Sequence, residues 1–465
     1  MQRLNKLIKP ELLKSLNQSQ LRTLSSTNFP SYITEAPLTE VSTLSNGIRI
    51  ATEAGFGRSS SVALGIDVGS RFENPASNGV AHYLEHLSFK GTQRRSKNQL
   101  EKIIEDKGSV LNAYTSRDMT AYYLQCFKDD VPFAVDFISD LIFHSKYPLE
   151  AVEEERHVII SEYNYIFENK YEFLFDLLHS VAFPANGLGL PTLGPLDNIK
   201  KITRDDIVRF VHSYYTGSRL VLAGAGGIQH DELVELGEKY LKDVAATPEP
   251  AFIPPPAKFM PGYTKYMDEE YPIANEVIVF ESCGWNNPDS FTFMILYAML
   301  GQYDSTSLMT ETNTPLTREI ARQKLCTSLS TVNIAYRETG LFGAYFECLP
   351  ETIDSATECV MNSFKSLKEN ITEEDVETAK QRFIFSSFVS MDTSMKKVED
   401  ICRQLIVYGR RLTPAEIIAR VNFITVDSVR DLIDRYILNK PVAVAAYGPV
   451  QKLQNKEWFD NFYKH

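Results

Sequence analysis

A proline-rich stretch, TPEPAFIPPPAKFMP (residues 247–261), cuts this 465-residue chain near its middle, and the pattern of elements before it recurs after it. Proline lacks an N–H and has a fixed φ, so six of them exclude a helix or central strand there. The stretch is expected to be an extended linker. A chain of this length needs more than one core. The expected domains are therefore residues 36–246 and 262–465.

The recurrence is one of pattern. Before the linker, GSVLNAYTSRDMTAYYLQCF (108–127) reads as two strands joined by a polar turn. After it, LCTSLSTVNIAYRETGLFGAYFEC (325–348) reads the same way. A helical stretch follows each pair, and then a second helix with an acidic start: YPLEAVEEERHVIISEY (147–163) and ITEEDVETAKQRFIFSSF (371–388). Further on, ITRDDIVRFVHSYYTGSRLVLAGAGGI (202–228) and ITVDSVRDLIDRYILNKPVAVAAYGPV (424–450) both read as capped helix, turn and β-rich strand ending in glycine. The chain reads as an internally duplicated α+β domain.

One motif belongs to the first copy alone. NPASNGVAHYLEHLSFKGT (74–92) has helix-start signals in Asn and Gly and a stop signal in Gly91. On that helix His82 and His86 stand one turn apart on one face, a spacing at which two imidazoles can share a tetrahedral zinc. Glu85 lies on the same side, one residue off the histidine row, where it can act as a base toward a water at the metal. A catalytic zinc takes three protein ligands, so the third must come from elsewhere. The acidic, strongly helical run 148–183 offers Glu155 and Glu162, seven residues apart and so on one face. One could ligate while the other orients a histidine, and spacing does not choose between them.

The second copy is a control. The counterpart of the histidine helix, FTFMILYAMLGQY (291–303), has neither histidine nor glutamate. Laying Val152 on Val376 puts Glu155 opposite Ala379 and Glu162 opposite Ser386. The fold does without these polar groups once, which assigns them to chemistry in the first copy.

The rest of the chain narrows the setting. Residues 1–30 carry Arg3, Lys6, Lys9, Lys14 and Arg22 against one acid, Glu11, with leucines at near-helical spacing and then Ser and Thr. That is the pattern of a mitochondrial transit peptide, expected over 1–24 with cleavage a residue or two after Arg22. A net charge of −12 disfavours nucleic acid and favours cationic partners. Cys126, Cys283, Cys326, Cys348, Cys359 and Cys402 are scattered without CxxC spacing, which argues against a disulfide framework or cysteine zinc site and fits a reducing compartment. No run of eighteen apolar residues exists, so no transmembrane helix is expected. GAGGI (224–228) lacks the context of a phosphate loop. His157, His179, His212 and His230 lack comparable partners and read as structural or surface.

HxxEH is the inverzincin signature. Together with GSRFENPASNGVAHYLEHLSFKGT, LNAYTSRDMTAYY (111–123) and LGPLDNIKKIT (193–203), it makes the chain resemble the pitrilysin-type metalloproteases. The resemblance runs from LSNGIRIATE (44–53) to AVAAYGPV (443–450) and is strongest to the heterodimeric branch that removes presequences in mitochondria. It implies two homologous halves, each a mixed, largely antiparallel sheet packed against helices, the first catalytic and the second inactive. It implies one Zn2+ held by His82, His86 and Glu162, with Glu85 as general base and Glu155 supporting the site. Phe89 would meet the residue after the scissile bond. Asn112 and Ala113 would lie on the edge strand where an extended substrate pairs. Glu172 and Asp176, one turn apart, would bind the arginine upstream of the cut, since paired carboxylates suit a guanidinium fork. The implied partners are an α subunit bearing a glycine-rich loop and basic presequence peptides, in the mitochondrial matrix. Where the β type often has a glycine run, this chain reads GQYDSTSLMTETNTPLT (301–317). Core proteins of respiratory complex III share the fold, often with ligands lost, and some chains serve as both core subunit and peptidase. Here every ligand and the base are present. The chain has about half the length that a self-contained, single-chain chamber of this family needs.

Overall fold

The computed structural model describes residues 37–184, 187–307 and 314–464. The expected transit segment and part of stretch 301–317 lie outside them. Two six-stranded sheets organise the chain. The first contains β1 (Glu40–Thr43), β2 (Arg49–Ala54), β3 (Ser59–Ile66), β4 (Val110–Thr115), β5 (Thr120–Phe127) and β6 (Leu220–Gly226), in the order β1-β2-β6-β3-β5-β4. The second contains β7 (Tyr263–Met267), β8 (Ala274–Cys283), β9 (Gln302–Asp304), β10 (Ser328–Ala335), β11 (Thr339–Cys348) and β12 (Val442–Gly448), in the order β7-β12-β8-β11-β10-β9. Each sheet has one parallel pair, β2–β6 and β7–β12, and is otherwise antiparallel. This is the duplicated α+β architecture with mixed sheets that the sequence pattern and the resemblance implied.

The first half adds helices α1 (Val80–Ser88), α2 (Lys97–Asp106), α3 (Val131–Phe143), α4 (Leu149–Glu168), α5 (Lys170–Ala182), α6 (Leu196–Ile199), α7 (Arg204–Tyr214) and α8 (His230–Leu241). The second adds α9 (Ser290–Leu300), α10 (Pro315–Gln323), α11 (Ile353–Asn370), α12 (Glu373–Val389), α13 (Ser394–Tyr408), α14 (Pro414–Asn422), α15 (Val426–Tyr436) and α16 (Lys456–Asn461). The starts of α7 and its counterpart α15, and of α12, are set by Thr203, Thr425 and Thr372, whose side chains accept from the third helical N–H. Residues 247–261 form neither helix nor strand.

Each sheet buries one face against helices of its own half. The other face is covered by a helix from the opposite half. α13 lies on β3, β5 and β6, where Val398, Ile401, Cys402 and Leu405 meet the small residues Ala51, Ala63, Ala121 and Ala223. α5 lies reciprocally on β8 and β12, where Leu174, Phe175 and Leu178 meet Val277, Val279, Ala443 and Ala445. The approach on the first sheet is close: a Cβ at Gly65 would stand 2.7 Å from Cys402 Cβ. Strands covered on both faces read as continuous apolar runs, as LVLAGAG and VAVAAYG do.

The crossover explains one departure from the sequence pattern. The run 148–183 reads as one helical stretch, but it breaks at Asn169, which leaves the helical region at φ −79°, ψ 92°. α4 stays on α1 in the first half, whereas α5 must turn away to reach the second sheet. The sheets also differ at one edge. β9 pairs with Ser328, Leu329 and Ser330 of β10 and covers that edge in part. The equivalent outer edge of β4 has no strand partner among the described residues. No described helix is long and apolar enough to cross a membrane.

Candidate active site

The site is built on α1, and both ends of that helix are anchored. It starts after Gly79, whose φ of +107° favours glycine and where a Cβ would stand 2.7 Å from Leu193 O. The LGPLDN segment therefore presses directly on the helix start. Glu73, buried, places its carboxylate there. It accepts from Gly79 N (2.9 Å), Ala81 N (2.6 Å) and Asn78 Nδ2 (2.8 Å). These are the orphan donors of a helix N-terminus, where the macrodipole also favours an anion. Burial pushes the Glu73 pKa up to about 7 against the pull of those three bonds. Beyond the other end, buried Asp140 accepts from Thr92 Oγ1 (2.7 Å), Arg94 Nε (2.8 Å) and Arg95 Nη1 (2.5 Å). Tyr83 ties α1 to α4 by donating its hydroxyl to Val152 O.

On this fixed helix His82 and His86 face Glu162 of α4. His82 Nε2 stands 3.5 Å from Glu162 Oε1, and His86 Nε2 stands 3.1 Å from Glu162 Oε2. One ligand atom from each of the three residues lies within 4.8 Å of the others. Ligands about 2 Å from one tetrahedral zinc stand roughly 3.3 Å apart, so these separations suit a shared ion. Two imidazoles and a carboxylate are also the donor chemistry of a catalytic zinc site. Hydrogen bonds to His82 and His86 hold the Glu162 carboxyl well below the usual range. Burial alone would lower the His86 imidazole, but the bonds to Glu162 and Glu155 outweigh it and raise its pKa.

The structure separates the two glutamates that spacing left equivalent. Glu155, 5% exposed, lies behind the site, and its Oε2 accepts from His86 Nδ1 at 3.2 Å. Its other oxygen is held by Lys90 Nζ at 2.6 Å. A carboxylate on the far nitrogen turns the Nε2 lone pair toward the cavity. Glu85 is half-buried and has no hydrogen-bond partner among the described residues. Its charge is felt by the phenols of Tyr122, Tyr123 and Tyr215, which burial pushes above their ordinary values.

The remaining expected residues fall around this centre. Phe89 caps the C-terminal end of α1, its ring 6.2 Å from that of Tyr122. Asn112 and Ala113 lie on β4, which packs against α1. Glu172 and Asp176 are on α5, with Glu172 exposed and Asp176 held by Arg117 Nη2 at 2.6 Å. Outside the site, His179 is structural: its Nδ1 donates to Phe175 O and its Nε2 accepts from Tyr336 OH, both at 2.6 Å. His230 likewise bonds Thr52 and Ser42. Sequence reasoning passed over Lys90, Glu73 and Arg117. Their partners are distant in the chain or reached through irregular backbone, so no local spacing signals them. In the second half, α9 and α12 pack as α1 and α4 do, with Ala379 buried and Ser386 exposed where the glutamates stand.

Residues 49–196 match the family model described as Insulinase (Peptidase family M16), and residues 201–383 match Peptidase M16 inactive domain. The chain is 38% identical over 427 residues to mitochondrial-processing peptidase subunit beta of Mus musculus, covering 91% of this chain and 87% of that one. It is 36% identical over 433 residues to the probable subunit beta of Arabidopsis thaliana, covering 92% and 82%. Against subunit beta of Lentinula edodes the figures are 36% over 455 residues, covering 96% of each chain. Two solved structures share the fold. A chain of Complex III2 from Candida albicans, Inz-5 bound, has a TM-score of 0.82 at 22% identity, covering 91% of this chain and 99% of that chain. A protease from Helicobacter pylori has a TM-score of 0.80 at 18% identity, covering 88% and 99%.

Proposed function

The chain belongs to the M16 family of metallopeptidases, and on that footing we propose that it works as the catalytic β-type subunit of a mitochondrial processing peptidase, removing N-terminal presequences from imported proteins. The observation that carries this reading is the convergence of His82, His86 and Glu162 beside the carboxylate of Glu85, which has no hydrogen-bond partner among the described residues. The relatives in mouse, Arabidopsis and L. edodes bear that name.

Zn2+ would be held by His82, His86 and Glu162, with Glu155 orienting His86. When bound, the ion supplies a Lewis acid that polarises the scissile carbonyl and lowers the pKa of the attacking water. Glu85 takes the proton of that water and returns it to the departing amine. The open edge of β4 offers its backbone at Asn112 and Ala113 to an extended peptide. Phe89 packs against the residue after the cut. Glu172 and Asp176 receive the arginine before it. A net charge of −12 favours basic presequences. The partner is an α subunit whose glycine-rich loop handles substrate, and the compartment is the mitochondrial matrix. A complete ligand set with its base favours catalysis over a purely structural place in complex III.

The test is cleavage of a presequence peptide carrying an arginine near its cut site. The mature chain is assayed alone, with an α-type partner, and with a zinc chelator. Chelator-sensitive cleavage by the pair, and by neither chain alone, supports the reading. No cleavage under any pairing, with zinc bound, overturns it in favour of a structural core subunit.

A further inference from the structure

Arg117 sits in the tight turn between β4 and β5, where Ser116 N donates to Met119 O at 2.8 Å. That turn is clamped from outside. Ser70 N donates to Ser116 O (3.1 Å), Arg71 N donates to Arg117 O (3.0 Å), and Arg71 Nη1 pairs with Asp118 at 2.7 Å. Arg71 also reaches Glu338 of the second half, at 2.6 Å. The Arg117 side chain, 13% exposed, leaves this fixed turn and uses two of its donors. Nε donates to Leu188 O at 3.0 Å, and Nη2 to Asp176 Oδ1 at 2.6 Å. Asp176 Oδ2 has no hydrogen-bond partner among the described residues, and Glu172 stands one helical turn away, exposed and likewise unpartnered.

We infer that Arg117 is a positioning residue that ties the substrate-pairing strand β4 to the arginine receptor and so sets where the cut falls relative to the arginine. The inference rests on the reading of Glu172 and Asp176 as that receptor. Two features carry it. The first is geometric. Peptide pairing on β4 and arginine capture on α5 are separate contacts on separate elements, and Arg117, in the turn that ends β4, reaches Asp176 of α5. Holding one oxygen of a partly exposed aspartate leaves the other oriented for a ligand, which reduces the ordering cost on binding. The second is charge. Two carboxylates and one guanidinium leave a net of one negative charge, which a single substrate guanidinium neutralises. Without Arg117 the pocket would carry two negative charges, which by themselves attract a cation more strongly, so a rise in KM reads the lost positioning.

The experiment uses the full mature chain assembled with its α-type partner. Wild type, Arg117→Met, Arg117→Lys and Asp176→Asn are assayed on two presequence peptides, one with arginine before the cut and one with norleucine there. Arg117→Met is expected to raise KM for the arginine peptide about tenfold, the cost of freeing one side chain. Its kcat should hold, and the norleucine peptide should be unaffected. Mass spectrometry of the products should show cleavage spread over neighbouring bonds. Arg117→Lys keeps the charge but loses the fork, so it should recover the affinity in part while the cut sites stay spread. If Arg117→Met does not fold, the spread of cut sites in Arg117→Lys is decisive, and an unchanged site overturns the inference. Equal effects on both peptides would make Arg117 merely structural. A lower KM for the arginine peptide would make it a competitor of substrate. Both overturn the proposal. Asp176→Asn separates the two levels: if it keeps the preference for arginine, the receptor reading itself fails. If Asp176→Asn loses that preference and Arg117→Met keeps it together with the wild-type cut site, only the inference about Arg117 fails.

Discussion

Replacing Lys90 with methionine keeps the aliphatic stem and removes the ammonium that stands 2.6 Å from Glu155 Oε1. Glu155 is 5% exposed and would be left with His86 as its one polar partner among the described residues. Removing one member of a fully buried ion pair costs about 3–5 kcal/mol. Lys90 is 18% exposed, so water replaces part of the lost contact and the expected cost falls to about 1–3 kcal/mol. For a cooperative unit of this size that corresponds to a fall of roughly 2–12 °C in Tm. The functional consequence is of similar size in free energy. Residues that orient metal ligands are worth about 10–100-fold in metal affinity. Glu155→Gln should lose that full amount, and Lys90→Met, which loosens Glu155 without deleting it, about tenfold. The assay is competition for zinc against a chelator of known affinity, run beside thermal unfolding of the same proteins. Lys90→Arg should restore most of the affinity. If Lys90→Met holds zinc as tightly as the parent while Glu155→Gln releases it, then Lys90 does not position Glu155 and the reasoning is wrong.

Glu85→Gln should keep zinc and fold while single-turnover cleavage falls by about 10²–10⁴-fold, and retained turnover would remove Glu85 as the base. His82→Ala should lose the metal, read as metal content after gel filtration. Burial pushes the Glu276 pKa from 4.5 to about 8, with Thr357 donating to one oxygen and the other without a hydrogen-bond partner among the described residues. Its folded pKa lies above its unfolded one, so the stability it contributes is full below about pH 4.5 and lost as pH rises through about 8. Glu276→Gln should flatten that decline in urea unfolding between pH 5 and 9, and parallel curves for the two proteins would refute it. Gly65→Ala places a Cβ 2.7 Å from Cys402 Cβ and should destabilise by about 1–3 kcal/mol, measured by thermal unfolding. A neutral result would mean that α13 yields easily on the first sheet.

The duplication, the helix starts and the pair His82 and His86 are local properties of the chain. Alternation, capping residues and a four-residue spacing express themselves within one element, so they are legible from sequence. The third ligand is different in kind. Glu155 and Glu162 share a helix face, and only the way α4 lies on α1 puts one at the cavity and the other behind His86. Lys90 on Glu155 and Arg117 on Asp176 are contacts between elements far apart in the chain, which no periodicity encodes. The break at Asn169 has the same origin, because α5 is helical by pattern but its direction is set by a sheet in the other half. Two similar α+β halves, one of them bearing the residues of a metal site, are therefore legible along the chain. Spacing along the chain does not settle that Glu162 meets the Nε2 atoms of His82 and His86 while Glu155 meets Nδ1 of His86, or that each half buries its sheet under the other's helix. Those outcomes depend on packing between elements, and packing is a property of the assembled surfaces rather than of any segment.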